Sequence, residues 1–532
     1  MNRRDFLVRG SALLASGLPG AALGRRMAWA QQVPAVVTSD RMRPTMPYGV
    51  QSGDMMADRA IVWSKTDRPA RMTVEWATNE AFRDARRIVG PAALADSDFT
   101  ARMDLVGVPS GADVFYRVTF VDLTDPRVSS APLAGRLRTA PTGRRTVRFC
   151  WSGDEAGQGW GINREWGGMK LYETMRRTTP DFFIHSGDQI YADGPIVAEV
   201  KLDDGATWKN VTTEAKAKVA ETLAEFRGNF AYNVLDEPKR RFTAEVPVLV
   251  QWDDHETRNN WYPGQTLGDT RYQVRSASLL AAYAKRAMFE YNPFRLDPVD
   301  PERVYRAFPY GPSLEVFMLD ERSYRGANSP NRQTSLDDSA AFLGPAQLRW
   351  LKRALLDSKA TWKVIASDMP ISLVVQDLND DVPKGTFEAW ANGDPGAPAG
   401  RELELAALLK FIKANKIQNV VWLTADVHYA QALYYSPSNP KARFTEFLPF
   451  WEFVAGPIHA GTFGPNDIDP TFGPEEKFCS IPKYPKLEGV SPAEGKQYYG
   501  LVKVDGQTQA MTVSLRDLNG TELYKVTIAP HP

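Results

Sequence analysis

The sequence predicts an all-β segment followed by a larger α/β region, and three observations lead to that fold class. Over 44–140, short runs alternate polar and apolar residues, and few helices fit between them. Over 146–532, apolar runs alternate with amphipathic helical stretches. The chain of 532 residues is also long enough for more than one hydrophobic core.

The N-terminal segment contains strand-like runs separated by turn residues: AIVWSK, RMTVEWAT, ARMDLVGV and VFYRVTFVD. A period of two is typical of strands with one buried face. We therefore predict a β-sandwich of immunoglobulin or fibronectin type over 44–140, with the linker RTAPTGRR at 138–145.

The α/β region contains five apolar runs that are too short and too rich in β-branched or aromatic residues for helices: TVRFCWS, DFFIHS, VPVLVQW, WKVIAS and NVVWLTA. Helical patterns lie between them, near 163–177, 213–231, 272–290, 345–357 and 401–415. This alternation predicts a sheet that helices cover on both faces. From about residue 497 the pattern returns to strands, and we expect these to form a second sheet that closes the core.

Residues 1–30 are typical of a targeting segment that is removed from the mature protein. Arg3 and Arg4 precede two apolar residues, which resembles a twin-arginine signal, and residues 28–30 (AWA) resemble a cleavage site. We expect export by the twin-arginine translocase to the periplasm or the medium; an uncleaved amphipathic helix is the alternative. The apolar stretch at 11–24 is shorter than the roughly 20 residues of a membrane span, and no later stretch is long enough.

The charge balance argues against a nucleic-acid-binding surface. The chain has 64 basic and 64 acidic residues, and removal of residues 1–30 takes away five arginines and one aspartate. The mature chain is then slightly acidic, with 59 basic and 63 acidic residues. Nucleic-acid binding requires a basic surface. The two cysteines, Cys150 and Cys479, could pair in an oxidising compartment or be small buried apolar residues.

Four of the apolar runs end in acidic or coordinating side chains. The carboxyl ends of strands in an open α/β sheet form the ligand crevice, so we expect these side chains to converge. They are Asp154 after the first run, Asp188, Tyr191 and Asp193 after the second, Asp253, Asp254 and His255 after the third, and Asp426 and His428 after the fifth.

Each of these residues alone has an ordinary structural interpretation. A single aspartate after a strand is usually a turn residue or a helix N-cap. His185, inside an apolar run, is interpreted as a buried structural histidine. Carboxylates at four strand ends would repel one another, however, unless cations neutralise them. The pattern therefore predicts a metal site.

The motifs GDQIYAD, WDDHETRNNW and ADVHYA, in this order, resemble the metallophosphoesterase signatures of the alkaline phosphatase D (PhoD) family. The N-terminal β segment and the twin-arginine motif also resemble that family, so the resemblance covers nearly the whole mature chain. It implies a metallophosphoesterase fold over 146–532, with two sheets covered by helices, after the immunoglobulin- or fibronectin-like domain.

The resemblance also implies a ligand set, because relatives hold a ferric ion and a divalent ion that one aspartate bridges. Asp188 would be the bridge. An oxygen-only second set suits Ca²⁺ or Mg²⁺ better than zinc, so we expect Fe³⁺ and Ca²⁺. The implied ligands are Asp154, Tyr191 and His428 for iron, and Asp253 or Asp254, Asn260 and Asp426 for the second cation.

Two departures from the family pattern affect this set. Some members have a cysteine ligand near Asp154, but Cys150 lies inside the strand and out of register, so we assign Asp154. Broader relatives also use a histidine after the strand that corresponds to WKVIAS; here Asp368 could take its place, or the position could be empty.

The expected chemistry is hydrolysis of a phosphoric ester, either a monoester or a diester. A metal-bound hydroxide would attack phosphorus in line, with Asp188 holding both cations. His255 would protonate the leaving alkoxide. Arg258 and Arg164 are candidate phosphate contacts because a planar guanidinium suits phosphate oxygens, although an ordinary surface arginine is the more common interpretation of each.

Two alternative functions remain compatible with the sequence. One is a phospholipase-D-type phosphodiesterase that uses the same site, with the aromatic residues of 158–172 and 447–453 lining a channel instead of packing. The other is a non-catalytic periplasmic binding protein whose loops are stabilised by calcium. Visible colour would separate them, because a tyrosinate–Fe³⁺ site absorbs visible light and a calcium-only protein does not.

Overall fold

A computed structural model describes residues 42–531. The signal peptide predicted over residues 1–30 lies outside the described residues. Within the described range, every helix is too short or too polar to cross a lipid bilayer.

The strands of the N-terminal segment are β1 (Val50–Gly53), β2 (Arg59–Lys65), β3 (Ala70–Ala77), β4 (Arg86–Ala93), β5 (Thr100–Val106), β6 (Asp113–Asp122) and β7 (Leu133–Arg138). Those that follow, up to the middle of the α/β region, are β8 (Val147–Ser152), β9 (Phe182–Ser186), β10 (Glu199–Lys201), β11 (Thr207–Lys209), β12 (Val248–Gln251), β13 (Arg306–Tyr310), β14 (Leu314–Met318) and β15 (Trp362–Ala366). The remaining strands are β16 (Val420–Thr424), β17 (Gln431–Tyr435), β18 (Phe450–Val454), β19 (Thr462–Gly464), β20 (Pro474–Cys479), β21 (Leu487–Val490), β22 (Tyr498–Val504), β23 (Met511–Asp517) and β24 (Glu522–Ile528).

Two large mixed sheets carry the α/β region. The first has the order β24-β23-β22-β8-β9-β12-β1-β2-β5, with β8, β9, β12 and β1 parallel. The second has the order β13-β14-β15-β16-β18-β17-β20, with β14, β15, β16 and β18 parallel. The five runs predicted as strands are therefore divided between the sheets, three in the first and two in the second.

The two sheets pack face to face. Phe149, Ile184 and Leu249 of the first sheet share one buried cluster with Val316 and Trp422 of the second. The alternate residues of the first sheet point the other way and form a separate buried cluster with the helices. The period-two alternation of each strand thus supplies both clusters.

The sequence and the structure differ at both ends of the first sheet. The strands after residue 497 do not form a second sheet, as we expected, but extend the first one, because β22 pairs with β8 in antiparallel orientation. At the other end β1, β2 and β5 of the N-terminal segment extend the same sheet, with Gly53 opposite Val248. The remaining N-terminal strands form a four-stranded sheet in the order β4-β3-β6-β7. The immunoglobulin or fibronectin type stays a prediction.

The helices are α1 (Leu171–Arg177), α2 (Leu223–Asn233), α3 (Glu237–Glu245), α4 (Ala277–Tyr291), α5 (Gly344–Asp357) and α6 (Glu402–Ala414). The predicted starts of α1 and α2 were too early. For α2 the reason is a capping box, in which Thr222 accepts a hydrogen bond from the amide of Glu225 and fixes the first turn there. Helix α3 was missed because its sequence, EPKRRFTAE, is mostly polar; Asp236 as N-cap with Pro238 in the first turn is the signal that could have revealed it.

The two cysteines do not pair. Cys150 is buried in β8 and Cys479 is half-buried in β20, so they belong to different sheets. Of the two alternatives left open by the sequence, the small buried apolar residue is therefore the one that applies to Cys150.

Candidate metal centre

The ligands predicted from the sequence lie on loops that follow the parallel strands of both sheets. Five of these residues have left-handed backbone conformations, with φ between 50° and 64°: Asp154, Asp188, Asn260, Asp426 and His428. A positive φ is uncommon outside glycine, and such strained positions cluster at active sites and ligand clamps. The backbone thus turns sharply where each side chain enters the site.

These loops bring the predicted ligands into three groups whose ligand atoms lie within 4.8 Å of one another. Asp188 and Asp254 each belong to two of the groups, and Asp188 is the one of the two that is also grouped with Asp154 and His428, as a bridge to the first half would be. The groups are Asp154, Asp188 and His428; Asp188, Asp254 and His255; and Asp253, Asp254 and Asp426.

The first half of the centre (Asp154, Tyr191 and His428) is mixed in ligand type. His428 Nδ1 donates a hydrogen bond to the carbonyl of Gly461, which leaves Nε2 as the acceptor, 3.1 Å from the Tyr191 hydroxyl. Burial lowers the pKa of His428 to about 4, so its imidazole is neutral, as a metal ligand must be. Both oxygens of Asp154 are buried and lack hydrogen-bond partners among the described residues.

The second half of the centre (Asp253, Asp254, Asn260 and Asp426) offers only oxygen ligands. Asp253 Oδ2 and Asp254 Oδ1 are buried and have no hydrogen-bond partner in the described part of the chain. The other oxygen of Asp254 accepts the amide of Asn260, which ties these two positions together. The amide nitrogen of the Asn260 side chain faces Asp377 at 3.4 Å.

The carboxylates of the centre cannot all be charged without cations. Burial, together with the charges of Asp254 and Asp253, raises the pKa of Asp188 well above its ordinary value. Burial also raises the pKa of Tyr191, so its phenol would ionise only on a cation. A buried carboxylate oxygen that accepts no hydrogen bond normally belongs to an ion pair or coordinates a metal. The donor set therefore fits two cations.

Two glycines permit the close approach of the ligand loops. A Cβ on Gly456 would lie 2.1 Å from Asp154 Oδ2, inside the first half of the centre. Gly187 has φ +98°, and a Cβ there would lie 2.5 Å from the Cβ of Asp253. Any side chain at either position would displace a ligand.

Glu155 connects two of the ligand loops from behind. Its amide donates to the carbonyl of Asp188, and its carboxylate, fully buried, accepts from Lys239 at 2.7 Å and lies 2.9 Å from His185 Nε2. Although burial opposes it, the charge of Lys239 lowers the pKa of Glu155 to about 2. His185 is thus a buried structural residue in the network that supports the centre.

The glutamate of the WDDHE motif is not a ligand in any of the three groups. Glu256 is fully buried, and its two oxygens accept the amides of Gln189 and Asp253, at 2.7 and 2.9 Å. It therefore joins the loop after β9 to the loop after β12. The signal in the sequence that could have revealed this role is the position of Glu256 directly after the predicted ligands.

His255 lies at the edge of the centre and is hydrogen-bonded on one side only. Its Nδ1 lies 2.8 Å from Asp193 Oδ1, and Nε2 has no hydrogen-bond partner among residues 42–531. Burial opposes protonation of the ring, but the charges of Asp193 and Asp254 raise the pKa of His255 to about 9. His255 can therefore carry a proton at neutral pH.

A cavity of about 270 Å³ opens over the centre. Its lining includes Asp188, Asp254, His255, Asp426 and His428 together with Asn259, Gln376, Leu378, Phe463 and Asn466. Leu378 at the mouth is 79% exposed. No lysine or arginine of the described residues lines this cavity.

The two arginines predicted to contact phosphate lie elsewhere. Arg164 is exposed and lines a different depression together with Gly167 and Arg240. Arg258 is buried, and its Nη2 lies 2.6 Å from Asp381 Oδ1. Direct contact of either arginine with substrate stays a prediction.

Two further charged residues at the centre were not predicted from the sequence. Arg322, four residues after β14, contacts Asp253, and Glu388 lines the cavity. Strand β14 was not predicted from the sequence. Nothing in the sequence therefore indicated that the charged residues after this strand, DER at 320–322, lie beside the other ligand loops. Asp368, the possible replacement for a missing histidine, lies 3.4 Å from Arg322 and is in none of the three ligand groups.

Solved structures of phosphatases share this fold. A structure of PhoD covers 91% of this chain and 89% of its own, at 21% identity and a TM-score of 0.66. A purple acid phosphatase from seeds of yellow lupin (Lupinus luteus) covers 92% of this chain and 74% of its own, at 12% identity and a TM-score of 0.54. These two matches show that the arrangement of mixed sheets is shared with those structures.

Sequence comparison identifies the family. Alkaline phosphatase D of Bacillus subtilis (strain 168) is 27% identical over 406 residues, which cover 72% of this chain; the chain spans 64% of that relative's length. The family model for the PhoD-like phosphatase N-terminal domain matches residues 29–141. The model for the PhoD-like phosphatase itself matches residues 149–515, which include every ligand of the candidate centre. The chain therefore belongs to the PhoD-like phosphatase family.

Proposed function

We propose that the protein is an exported hydrolase of phosphoric esters that requires two cations, Fe³⁺ in the first half of the centre and Ca²⁺ in the second. The observation that carries this proposal is the convergence of buried, unpartnered carboxylate oxygens from loops of both sheets, with Asp188 shared by two ligand groups. Membership in a phosphatase family supports the enzymatic function over the non-catalytic calcium-binding alternative.

The ligand types suggest which cation each half would hold. A phenolate and a carboxylate, as Tyr191 and Asp154 would provide, suit the hard ion Fe³⁺. The oxygen-only second half suits Ca²⁺ or Mg²⁺. When bound, the two cations would supply Lewis acidity, which polarises the phosphorus–oxygen bonds and lowers the pKa of a coordinated water.

The protein's own residues would orient the ester and move its proton. His255 lines the cavity, Asp193 holds its Nδ1, and Nε2 has no partner in the part of the chain that the structure describes. From there the protonated imidazole can give its proton to the alkoxide that leaves phosphorus. Asn259 and Asn466, which line the same cavity, can donate neutral hydrogen bonds to the ester.

The aromatic residues of 158–172 give the phospholipase-type alternative no particular support. Of the aromatic residues in 158–172, Trp160 and Trp166 pack against Trp208. Their ring centroids lie 6.0 and 5.2 Å, respectively, from the centroid of Trp208. They do not line the cavity over the centre.

Purification of the mature protein, metal analysis and turnover of a chromogenic monoester and a diester test this proposal together. We expect about one iron and at least one divalent ion per chain, visible absorption from the tyrosinate, and hydrolysis that a chelator abolishes. A colourless, calcium-only protein without hydrolytic activity would instead support the binding-protein alternative.

Export is tested separately. Replacement of Arg3 and Arg4 by lysine should retain the precursor in the cytoplasm, whereas the native sequence should yield periplasmic or secreted material that begins near Gln31. Normal export of the lysine variant would refute the twin-arginine route without affecting the enzymatic proposal.

A further inference from the structure

A buried arginine stands among the carboxylates of the second half of the centre. The Arg322 side chain is fully buried, and four carboxylates lie within 4.0 Å of its guanidinium. Its Nε is 2.8 Å from Asp253 Oδ1 and its Nη1 is 2.5 Å from Glu388 Oε2. Asp368 Oδ2 lies 3.4 Å from Nε, and Asp426 Oδ1 lies 3.8 Å from Nη2.

The arginine distinguishes the two oxygens of Asp253. Oδ1 accepts hydrogen bonds from both Nε and Nη2 of Arg322. Oδ2 is buried and has no hydrogen-bond partner within the described range. A planar guanidinium that donates two hydrogen bonds to one oxygen holds the carboxylate in one rotamer. Asp253 is thereby fixed with one oxygen left for a cation.

The arginine also supplies a permanent charge. Both oxygens of Asp368 are buried and lack hydrogen-bond partners among the residues described, and Glu388 shares its charge between Arg322 and Arg325. Buried carboxylates so close to one another are unfavourable unless a cation balances them. A guanidinium does so at every accessible pH, because arginine does not lose its proton in proteins.

We propose that Arg322 is a built-in cation of the metal centre, a positioning residue that fixes Asp253 and balances its carboxylate neighbours so that the second half keeps its shape before a metal binds. The inference rests on the proposed function only in treating Asp253, Asp254 and Asp426 as a cation site. It predicts that, without Arg322, only bound cations can balance the carboxylate charge that Arg322 balances in the native protein.

Thermal unfolding of metal-loaded and chelator-stripped protein tests this role. Arg322→Met removes the charge and keeps much of the side-chain length. Leaving a buried charge uncompensated should lower the Tm of the stripped form by roughly 3–5 °C, because a chain of this length loses only about 1 °C per kcal/mol. The loaded form should lose less, because the bound cation balances part of the charge. The gap between loaded and stripped Tm should therefore widen, whereas Arg322→Lys, which keeps the charge, should leave the gap unchanged.

A compensating substitution separates charge balance from packing. Asp368→Asn removes one negative charge beside Arg322, so Arg322→Met with Asp368→Asn should recover most of the lost stripped-form Tm. The matched control is Arg322→Met with Glu452→Gln, because Glu452 is also buried but is bonded to Tyr435 and the amide of Ile371, not to Arg322. If Arg322→Met alone does not fold, recovery of folded protein by the first companion and not by the second is the readout.

Equal Tm losses in loaded and stripped Arg322→Met, or equal effects of the two companion substitutions, would overturn the proposal. A native protein whose Tm does not rise with Fe³⁺ and Ca²⁺ would count instead against the proposed cation site. In that case the comparison of the two companions in stripped protein still decides whether Arg322 balances charge.

Discussion

The two halves of the candidate centre differ in how the negative charge of their ligands is balanced. The first half presents a carboxylate, a phenol and a ring nitrogen, and both oxygens of Asp154 lack hydrogen-bond partners in the described chain. The second half presents only oxygen atoms, and one oxygen of Asp253 is already held by Arg322. The second half thus carries part of its counter-charge within the protein, whereas the three ligands of the first half include no guanidinium or ammonium group.

This difference suggests why one site would hold two unlike cations. A trivalent ion gains most where no fixed positive charge competes with it and where a phenolate can form. A nearby guanidinium repels a bound cation, and the repulsion grows with the charge of that cation. The second half should therefore favour a divalent ion. Asp188, which belongs to ligand groups on both sides, is the residue through which the two halves would affect each other.

Loss of the bridge should erase the distinction between the halves and give the largest effect. Asp188→Asn replaces the shared carboxylate by a neutral amide, so both cations should bind more weakly and activity should fall below detection. Metal content of purified protein and turnover of the chromogenic diester measure the two losses. Activity within a few-fold of the native enzyme would show that another residue bridges the cations.

Substitutions on one side only should separate the halves. His428→Ala removes the single ring nitrogen of the first half, so the protein should lose iron and visible colour and retain its divalent ion. Asp426→Asn should do the reverse, because Asp426 belongs to the oxygen-only group. Metal analysis with absorption spectra measures both variants. Loss of the same metals from the two variants would contradict the assignment of separate halves.

His255→Ala should reduce the rate without removing either metal. General acid catalysis is worth roughly 10²–10⁴-fold, and the loss should shrink for esters with very acidic leaving groups such as nitrophenol. The imidazole donates only when protonated, so activity should fall as pH rises through its pKa. A cation on Asp254 cancels part of the charge that raises this pKa to about 9, so the limb should lie between about 6.5 and 9.

Metal content, leaving-group dependence and the alkaline limb of the pH–rate profile together test the role of His255. Loss of metal from His255→Ala, with equal slowing of good and poor leaving groups, would make His255 a ligand. Its membership in one ligand group with Asp188 and Asp254 makes this alternative structurally specific.

How much of this centre could be predicted from the sequence depended on local pattern. Asp154, Asp188 and Asp426 follow apolar runs that were recognised as strands, so their convergence was expected. Arg322 follows β14, whose sequence LEVFM is too short for a clear period, and its partners lie far away along the chain.

The sheet arrangement shows the same limit. The strands after residue 497 were predicted correctly, but their pairing with β8 instead of a separate sheet is a long-range choice. Each of these strands is apolar on alternate residues, and that pattern suits any sheet edge next to a core. Alternation thus predicts the strand, and tertiary contacts determine its neighbour.

Substitution of a residue that supports the ligand loops should weaken metal binding less than substitution of a ligand. Glu155→Gln removes the charge that Lys239 contacts but keeps a hydrogen-bonding side chain behind Asp154 and Asp188. Substitution of such outer partners typically costs roughly 10–100-fold in metal affinity. We expect the first cation to dissociate faster, measured by chelator competition. Glu173→Gln, on the surface of α1, is the matched control, and an equal effect there would indicate general destabilisation.

The smallest effect should come from an arginine that the sequence offered as a phosphate contact. Arg164 is exposed and lies in a depression lined by Gly167 and Arg240, outside the cavity that contains the ligands. A surface substitution of this kind usually changes stability by no more than about 0.5 kcal/mol. Because Arg164 does not line the cavity that contains the ligands, Arg164→Ala should also leave KM and kcat unchanged. A tenfold rise in KM with unchanged kcat would show that substrate reaches beyond the cavity to this arginine, and the boundary of the site would then extend across the loop that carries it.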